Sequence, residues 1–346
     1  MMQIFRSLAA GLSRRTRMVL IGAALGLVLI AAIYIKIQLF LARAPGSGST
    51  SKVVSFERGT SLRTFANRLE KAGIISSARL FTLGARLQGA DSRVQAGAYL
   101  FTDAMPPAEI LRKMVAGEVY ERKFAVPEGY SIYQLAELLD GKDIFPKEDF
   151  LRTCTDRRLL RDLNISARSV EGYLFPSTYN LVNITTPEAL VRAMVAKFHT
   201  VYDARFSTMT AGSGLSRQQI ITLASMVEKE AKMPGERPLI ASVFLNRLRT
   251  GMPLQSDPTA VYGVRAFAGK VTKADIERNS AYNTYRIAGL PPGPIGNPSE
   301  GAIEAVLQPA HTGYYYFVAR KDGSHQFSAT LAEHNLAVNR YLKTTH

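Results

Sequence analysis

The sequence predicts an α+β protein with an N-terminal transmembrane helix, a small α/β subdomain and a larger helix-rich α+β domain. Three observations carry that expectation. One long uncharged apolar run stands near the N-terminus, strand–glycine–helix patterns follow it, and long amphipathic stripes with a closing hairpin fill the second half.

The apolar run Met18 to Ile35, MVLIGAALGLVLIAAIYI, carries no charge. As a helix it spans roughly 27 Å, close to the hydrocarbon thickness of a bilayer. Arg6, Arg14, Arg15 and Arg17 precede it with no acidic residue, so the positive-inside rule places residues 1–17 in the cytoplasm and everything beyond the 18–40 helix outside it. Ala42-Arg43-Ala44 has the look of a signal-peptidase site. The apolar core, however, exceeds the roughly 7–15 residues of a secretory signal, so a retained anchor is expected.

Residues 41–51 contain APGSGSTS and read as a flexible linker. A subdomain is expected over 52–140, because two segments there resemble each other. Glu57-Arg58-Gly59-Thr60-Ser61-Leu62 leads to Phe65-Ala66, and Glu128-Gly129-Tyr130-Ser131-Ile132 leads to Leu135-Ala136. In the first, Leu62, Phe65, Ala66 and Leu69 form an i, i+3, i+4, i+7 stripe closed by Gly73; in the second, Ser131 and Gln134 form a capping box. Such units resemble LysM-type modules, which bind N-acetylglucosamine polymers. Two small α/β pieces that merely pack together would give the same pattern.

The larger domain is expected over 141–346. Leu190, Met194 and Phe198 set a first helical stripe. A second helix covers Ser216 to Lys232, with Ile220, Leu223, Ala224, Val227 and Ala231 on one face. A third runs from Pro238 to Arg249, presents Leu239, Val243 and Leu248, and stops at Gly251. Tyr314 to Ala319 and His325 to Ser328 flank Lys321-Asp322-Gly323 as a β-hairpin, and Thr330-Leu331-Ala332-Glu333 opens the last helix.

Composition narrows the chemistry. The net charge of +15 is spread along the chain rather than gathered into a basic arm, and tryptophan is absent, so an anionic polymer or membrane face suits it at least as well as nucleic acid. The single cysteine, Cys154, forms no intramolecular disulfide, and no two of the five histidines stand at zinc-ligand helix spacing. A metal enzyme is disfavoured.

The most informative stretch is Leu223 to Glu230, LASMVEKE, which sets two carboxylates in an apolar helical run. At i, i+2 they point about 200° apart and cannot act on one bond as a pair. Glu230 falls nearer the Leu223 and Met226 edge of the stripe, where partial burial would favour its protonated form. By spacing alone, two solvated helix acids, with Glu228 paired to a lysine, remain the plainer alternative.

The ordered motifs ASMVEKE, ERPLIASVFLNRLRTGMPLQSDPTAVYG, AYNTYRIAGLPPGPIGNP and YYYFVARKDGSHQFSATLAEHN resemble the MltG (YceG-like) family of endolytic murein transglycosylases. The similarity covers nearly all of the chain beyond the anchor. It implies that Glu230, the second glutamate of E-K-E, is the catalytic acid, and that Gln255, Asp257, Tyr262, Tyr282, Asn283 and Tyr285 contact sugars. Where the family carries an acidic residue in the Phe175-Pro176-Ser177-Thr178-Tyr179 motif, this chain has Ser177. The resemblance further implies a carbon–oxygen lyase of the cell inner membrane, with its C-terminal domain periplasmic. Its substrate would be nascent peptidoglycan glycan strands, its neighbours the peptidoglycan synthases, with no nucleic acid, metal or cofactor. One glutamate then suffices, because the substrate's 2-acetamido oxygen supports the anomeric carbon and the muramic C6 hydroxyl closes onto it. A catalytically silent peptidoglycan-binding scaffold and a hydrolytic muramidase are the competing readings.

Overall fold

The structure is a computed structural model that describes residues 14–264 and 271–342. Residues 1–13 of the expected cytoplasmic tail, with Arg6, lie outside the described residues. The chain divides into two compact units, 1–121 and 122–346.

The first unit begins with α1 (Arg14–Ala42), whose apolar side chains from Met18 to Ile35 stand exposed, while Ile37 and Leu41 enter a core. Strand β1 (Ser51–Phe56) pairs antiparallel with β2 (Gly97–Thr102), and α2 (Leu62–Lys71), α3 (Ala78–Leu87) and α4 (Pro107–Ala116) complete the unit. Ser61 caps α2 by accepting from the Thr64 N–H, and Leu62, Phe65, Ala66 and Leu69 are buried as their spacing predicts. Gly73, at φ +76°, ends the turn in a conformation that disfavours any side chain.

The second unit starts earlier than its expected boundary at 141. Strand β3 (Lys123–Ala125) precedes the second glycine turn, and α5 (Ile132–Asp140) carries the expected capping box of Ser131 and Gln134. After α6 (Lys147–Cys154) and α7 (Arg157–Asp162), strand β4 (Thr178–Asn180) returns to pair with β3. The two look-alike segments thus enter different sheets and different cores: Phe65 belongs to the core that holds Phe81 and Tyr99, whereas Leu135 belongs to the one that holds Phe150, Leu174 and Phe198. At Ser177 the backbone carbonyl accepts from the Val126 N–H, extending the β3–β4 ladder.

Helices α8 (Pro187–Arg205), α9 (Ser207–Ser213), α10 (Arg217–Glu230) and α11 (Arg237–Arg249) follow. Every residue of α10 from Ile220 to Val227 is buried, so this helix is central rather than one-faced. Its length is set by the capping box of Ser216 and Gln219 at one end and by Ala231, which leaves helical geometry, at the other. The third predicted stripe shifts. On α11 the buried residues include Ile240, Phe244, Asn246 and Arg247, while Leu239 and Leu248 are only half-buried, because α10 and the later elements cover α11 on more than one side.

Short helices α12 (Asp257–Val261) and α13 (Lys273–Glu277) lead through a proline- and glycine-rich loop to α14 (Glu300–Leu307). Strands β5 (Tyr316–Ala319) and β6 (His325–Ser328) form the expected hairpin, with Phe317 opposite Phe327. In α15 (Leu331–Leu342) the capping box is made, since Glu333 accepts from the Ala329 and Thr330 N–H groups and its own N–H donates to the Thr330 hydroxyl.

Candidate active site

The two carboxylates of α10 have separate fates. Glu228 has a side chain only 8% exposed, accepts from Arg237 Nη2 at 3.1 Å and from the Ser299 N–H at 3.1 Å, and is also bonded by the Ser299 hydroxyl. Its charge is fully engaged in fastening α10 to α11 and to the start of α14. The expected lysine partner is an arginine.

Glu230, two residues on, is the last residue of α10 and opens onto a cavity of about 360 Å³. Burial among its neighbours is the main force on its carboxyl and pushes the pKa up to about 7. The buried Ser256 hydroxyl donates to Glu230 Oε1 at 2.6 Å and opposes that shift, while the negative charge of Asp257 adds to it. Ser256 is itself fixed, since its N–H donates to Thr284 Oγ1 at 2.9 Å and its carbonyl accepts from Thr259 Oγ1.

The cavity wall brings together Arg247, Gln255, Asp257, Tyr285, Phe317, His325 and His334. Gln255 holds φ +50°, a conformation unfavourable for a residue with a side chain, and its Oε1 accepts from Arg247 Nη1 at 3.3 Å. The buried Arg247 also donates to the carbonyls of Tyr315, Pro253 and Leu254 and stands over the Tyr316 ring at 5.2 Å. Tyr285 donates its hydroxyl to Asp257 Oδ1 at 2.7 Å. His334 stacks on Tyr316, its Nδ1 buried without a hydrogen-bond partner, and desolvation followed by the charge of Arg247 lowers its pKa. His325 is tied down by Glu236, which accepts from both its N–H and its ring Nδ1.

Of the residues the sequence singles out, Glu230, Gln255, Asp257 and Tyr285 share this cavity; Tyr262, Tyr282 and Asn283 do not line it. Asn283 is wholly buried and spends its amide on the carbonyls of Asp275, Ile276 and Arg278, which leaves no donor for a sugar. Tyr262 is buried against Tyr133 and Tyr282, and its hydroxyl donates to Glu171 Oε2 at 2.8 Å. Both positions therefore act in folding.

Glu171 and Ser256 are the polar groups that spacing does not reveal. Glu171 is 2% exposed, accepts twice from the Ile132 N–H at the start of α5, and takes a further bond from Asn297 Nδ2. Desolvation raises its pKa to about 7 against the opposing pull of the Ile132 N–H, the Tyr262 hydroxyl and the charge of Lys229. Asn297 also accepts from the N–H groups of Gly172 and Leu174 and donates to the Tyr130 carbonyl, so the 171–174 turn, α5 and the proline-rich loop are clasped together. At Gly172 a Cβ would lie 2.5 Å from Pro294 Cγ and 2.7 Å from Ile221 Cγ2, which explains the glycine.

On this α+β scaffold Glu230 is thus a carboxyl whose pKa burial raises towards neutrality, held by a hydroxyl at the end of a buried helix and facing an open cavity. Residues 54–340 match the YceG-like family, and the chain belongs to it. It is 33% identical to the endolytic murein transglycosylase of Bacillus subtilis over 312 residues, covering 85% of this chain and 86% of that protein. The endolytic murein transglycosylase of Streptococcus pneumoniae is 30% identical over 297 residues, covering 77% of this chain; the chain spans 54% of that relative's length. A crystal structure of a YceG-like protein from Listeria monocytogenes matches with a TM-score of 0.59 at 32% identity, over 84% of this chain and 100% of that one.

Proposed function

We propose that this chain is an endolytic murein transglycosylase, a carbon–oxygen lyase that cuts the MurNAc–GlcNAc β-1,4 bond inside nascent glycan strands and leaves 1,6-anhydro-MurNAc ends. The observation that carries the reading is Glu230, a carboxyl whose protonated form persists to about pH 7 and which faces an open cavity. The relatives from Bacillus subtilis and Streptococcus pneumoniae that are named for this activity support it.

In this reading Glu230 donates its proton to the departing glycosidic oxygen, the substrate's acetamido oxygen supports the electron-poor anomeric carbon, and Glu230 then takes the proton of the muramic C6 hydroxyl as it closes. Gln255, Asp257 and Tyr285 offer polar contacts along the cavity, and Ser256 is a positioning residue that holds the carboxylate between the two proton transfers. Tethering by α1 keeps the cleft near the outer face of the inner membrane, where synthases extrude young strands, so cutting ends elongation. The LysM-like reading of residues 52–140 gives that stretch a role in holding the strand. Incubation with purified peptidoglycan should release internal fragments; correctly folded protein that releases none leaves the scaffold reading standing.

One observation favours a second reading. Asp257 shares the cavity with Glu230, so a second carboxylate is present although none is suitably spaced within α10 itself. A hydrolytic muramidase needs such a pair, one group to protonate and one to attack or to activate water. Here Asp257 accepts the Tyr285 hydroxyl, which ties up one of its oxygens.

Two expected results test parts of the proposal. Because Glu230 must start protonated, turnover should fall as the pH rises through about 7. The Ser256 bond favours the charged form, so Ser256→Ala should move that alkaline limb upward by about one pH unit, and Ser256→Thr should move it back. An unmoved limb in a pH–rate profile would separate Ser256 from Glu230. For topology, a reporter active only outside the cytoplasm should work when fused after residue 60; activity from cytoplasmic reporters alone would reverse the orientation.

A further inference from the structure

The far end of α1 is where the anchor meets the first unit. A crossing of roughly 20 residues that starts at Met18 reaches the edge of the hydrocarbon near Ile37, and at 1.5 Å per residue Leu41 lies roughly 6 Å further, within the headgroup layer. Leu41 is 2% exposed because α3 covers it. The approach is close: a Cβ on Gly84 would lie 2.9 Å from both Leu41 methyl carbons. Gly84 therefore fixes α3 at the level of Leu41.

Around α3, Phe81 and Ala85 turn into the core and Gly84 meets α1. The adjoining strip is apolar and open, with half-buried Leu80 beside Leu83 and Leu87, which are 40% and 53% exposed. Arg79 and Arg86 border it, both exposed. Across α2 and α3 the charges are Arg63, Arg68, Lys71, Arg79 and Arg86 against Glu70 alone. An apolar strip edged by cations, fixed at headgroup height, has the character of a helix that lies in a membrane interface.

We propose that α3 is seated in the anionic headgroup layer of the same bilayer that α1 crosses, with Leu83 and Leu87 at the acyl boundary and Arg79 and Arg86 on lipid phosphates. This rests on α1 being a membrane span. The seat makes the first unit a footing on the membrane rather than a body swinging on a linker, which sets the distance at which it meets a glycan strand.

The test uses the full chain in bilayers containing phosphatidylglycerol, with an environment-sensitive fluorophore placed in turn at Leu83→Cys, Leu87→Cys and Ile30→Cys. Cys154 is fully buried and its thiol pKa is pushed up by desolvation, so the unsubstituted chain serves as the unlabelled blank. Brominated acyl chains should quench the labels at Leu83 and Leu87 as well as the one at Ile30, and their emission should be blue-shifted. Quenching at Ile30 with water-like emission at 83 and 87 overturns the seat and leaves the anchor intact. Blue-shifted emission at 83 and 87 that bromine does not quench shows that a second copy or another protein covers the strip, which also overturns it. Loss of quenching at all three positions overturns the span itself.

Discussion

Glu230→Gln should lower peptidoglycan cleavage by about 10²–10⁴-fold while the protein stays folded, because the amide keeps the size and the acceptor for Ser256 but has no proton to transfer. Stability should move the other way. The carboxyl's pKa in the folded chain, about 7, lies above the ordinary carboxylate value, so the folded state holds the extra proton between those two values. Stability from this group is present at low pH and is lost as the pH rises through that window, leaving an ionised, poorly solvated group above about 7. Removing it at pH 8 should therefore stabilise the fold by on the order of 1–3 kcal/mol. Glu228→Gln should show the opposite pair of results. It disrupts the buried pair with Arg237 and the bonds from Ser299, at a cost of about 3–5 kcal/mol, yet the fraction that remains folded should still cut glycan. Thermal melts read beside initial rates separate the two; a Glu228 variant that melts normally and is inactive would transfer the proposed role to Glu228.

That contrast marks the limit of what spacing can say about α10. The i, i+2 geometry correctly separates the two glutamates, because it depends only on helical rise and turn. The choice between them does not follow from the apolar stripe, since residues 220–227 are buried all round and the helix has no single outer edge. It follows from Arg237 and Ser299 on one side and Ser256 on the other, residues up to 71 positions away. Local signals fared well wherever the interaction itself is local: the capping boxes at Ser131 and Thr330, the Gly73 turn and the 316–328 hairpin are all legible. The first boundary is displaced because β3 finds its partner in β4, more than fifty residues on, and a strand pattern carries no address for its partner. For the same reason Tyr262 and Asn283 are legible as members of a motif but not by direction: Glu171, which binds the Tyr262 hydroxyl, lies 91 residues before it.

The released ends carry the largest difference between the readings, since the outcome is all or none. If Glu230 works with the substrate's own groups, the bond broken is replaced by one within the same sugar, and no water oxygen enters the product. Digestion in water enriched in heavy oxygen should then give 1,6-anhydro ends of unshifted mass, with the proton first lent by Glu230 regained from the C6 hydroxyl. If Asp257 instead activates water or attacks the anomeric carbon, each cut must take up one water, and every new reducing end should carry the heavy oxygen. Asp257→Asn decides which residue is responsible in that event: it should abolish heavy-oxygen ends in a muramidase, whereas in a transglycosylase anhydro ends should persist at a rate reduced through lost sugar contacts and the altered charge beside Glu230. Anhydro ends that survive Asp257→Asn and vanish with Glu230→Gln establish a single working carboxyl; labelled ends that vanish with either substitution overturn the transglycosylase reading in favour of a hydrolase.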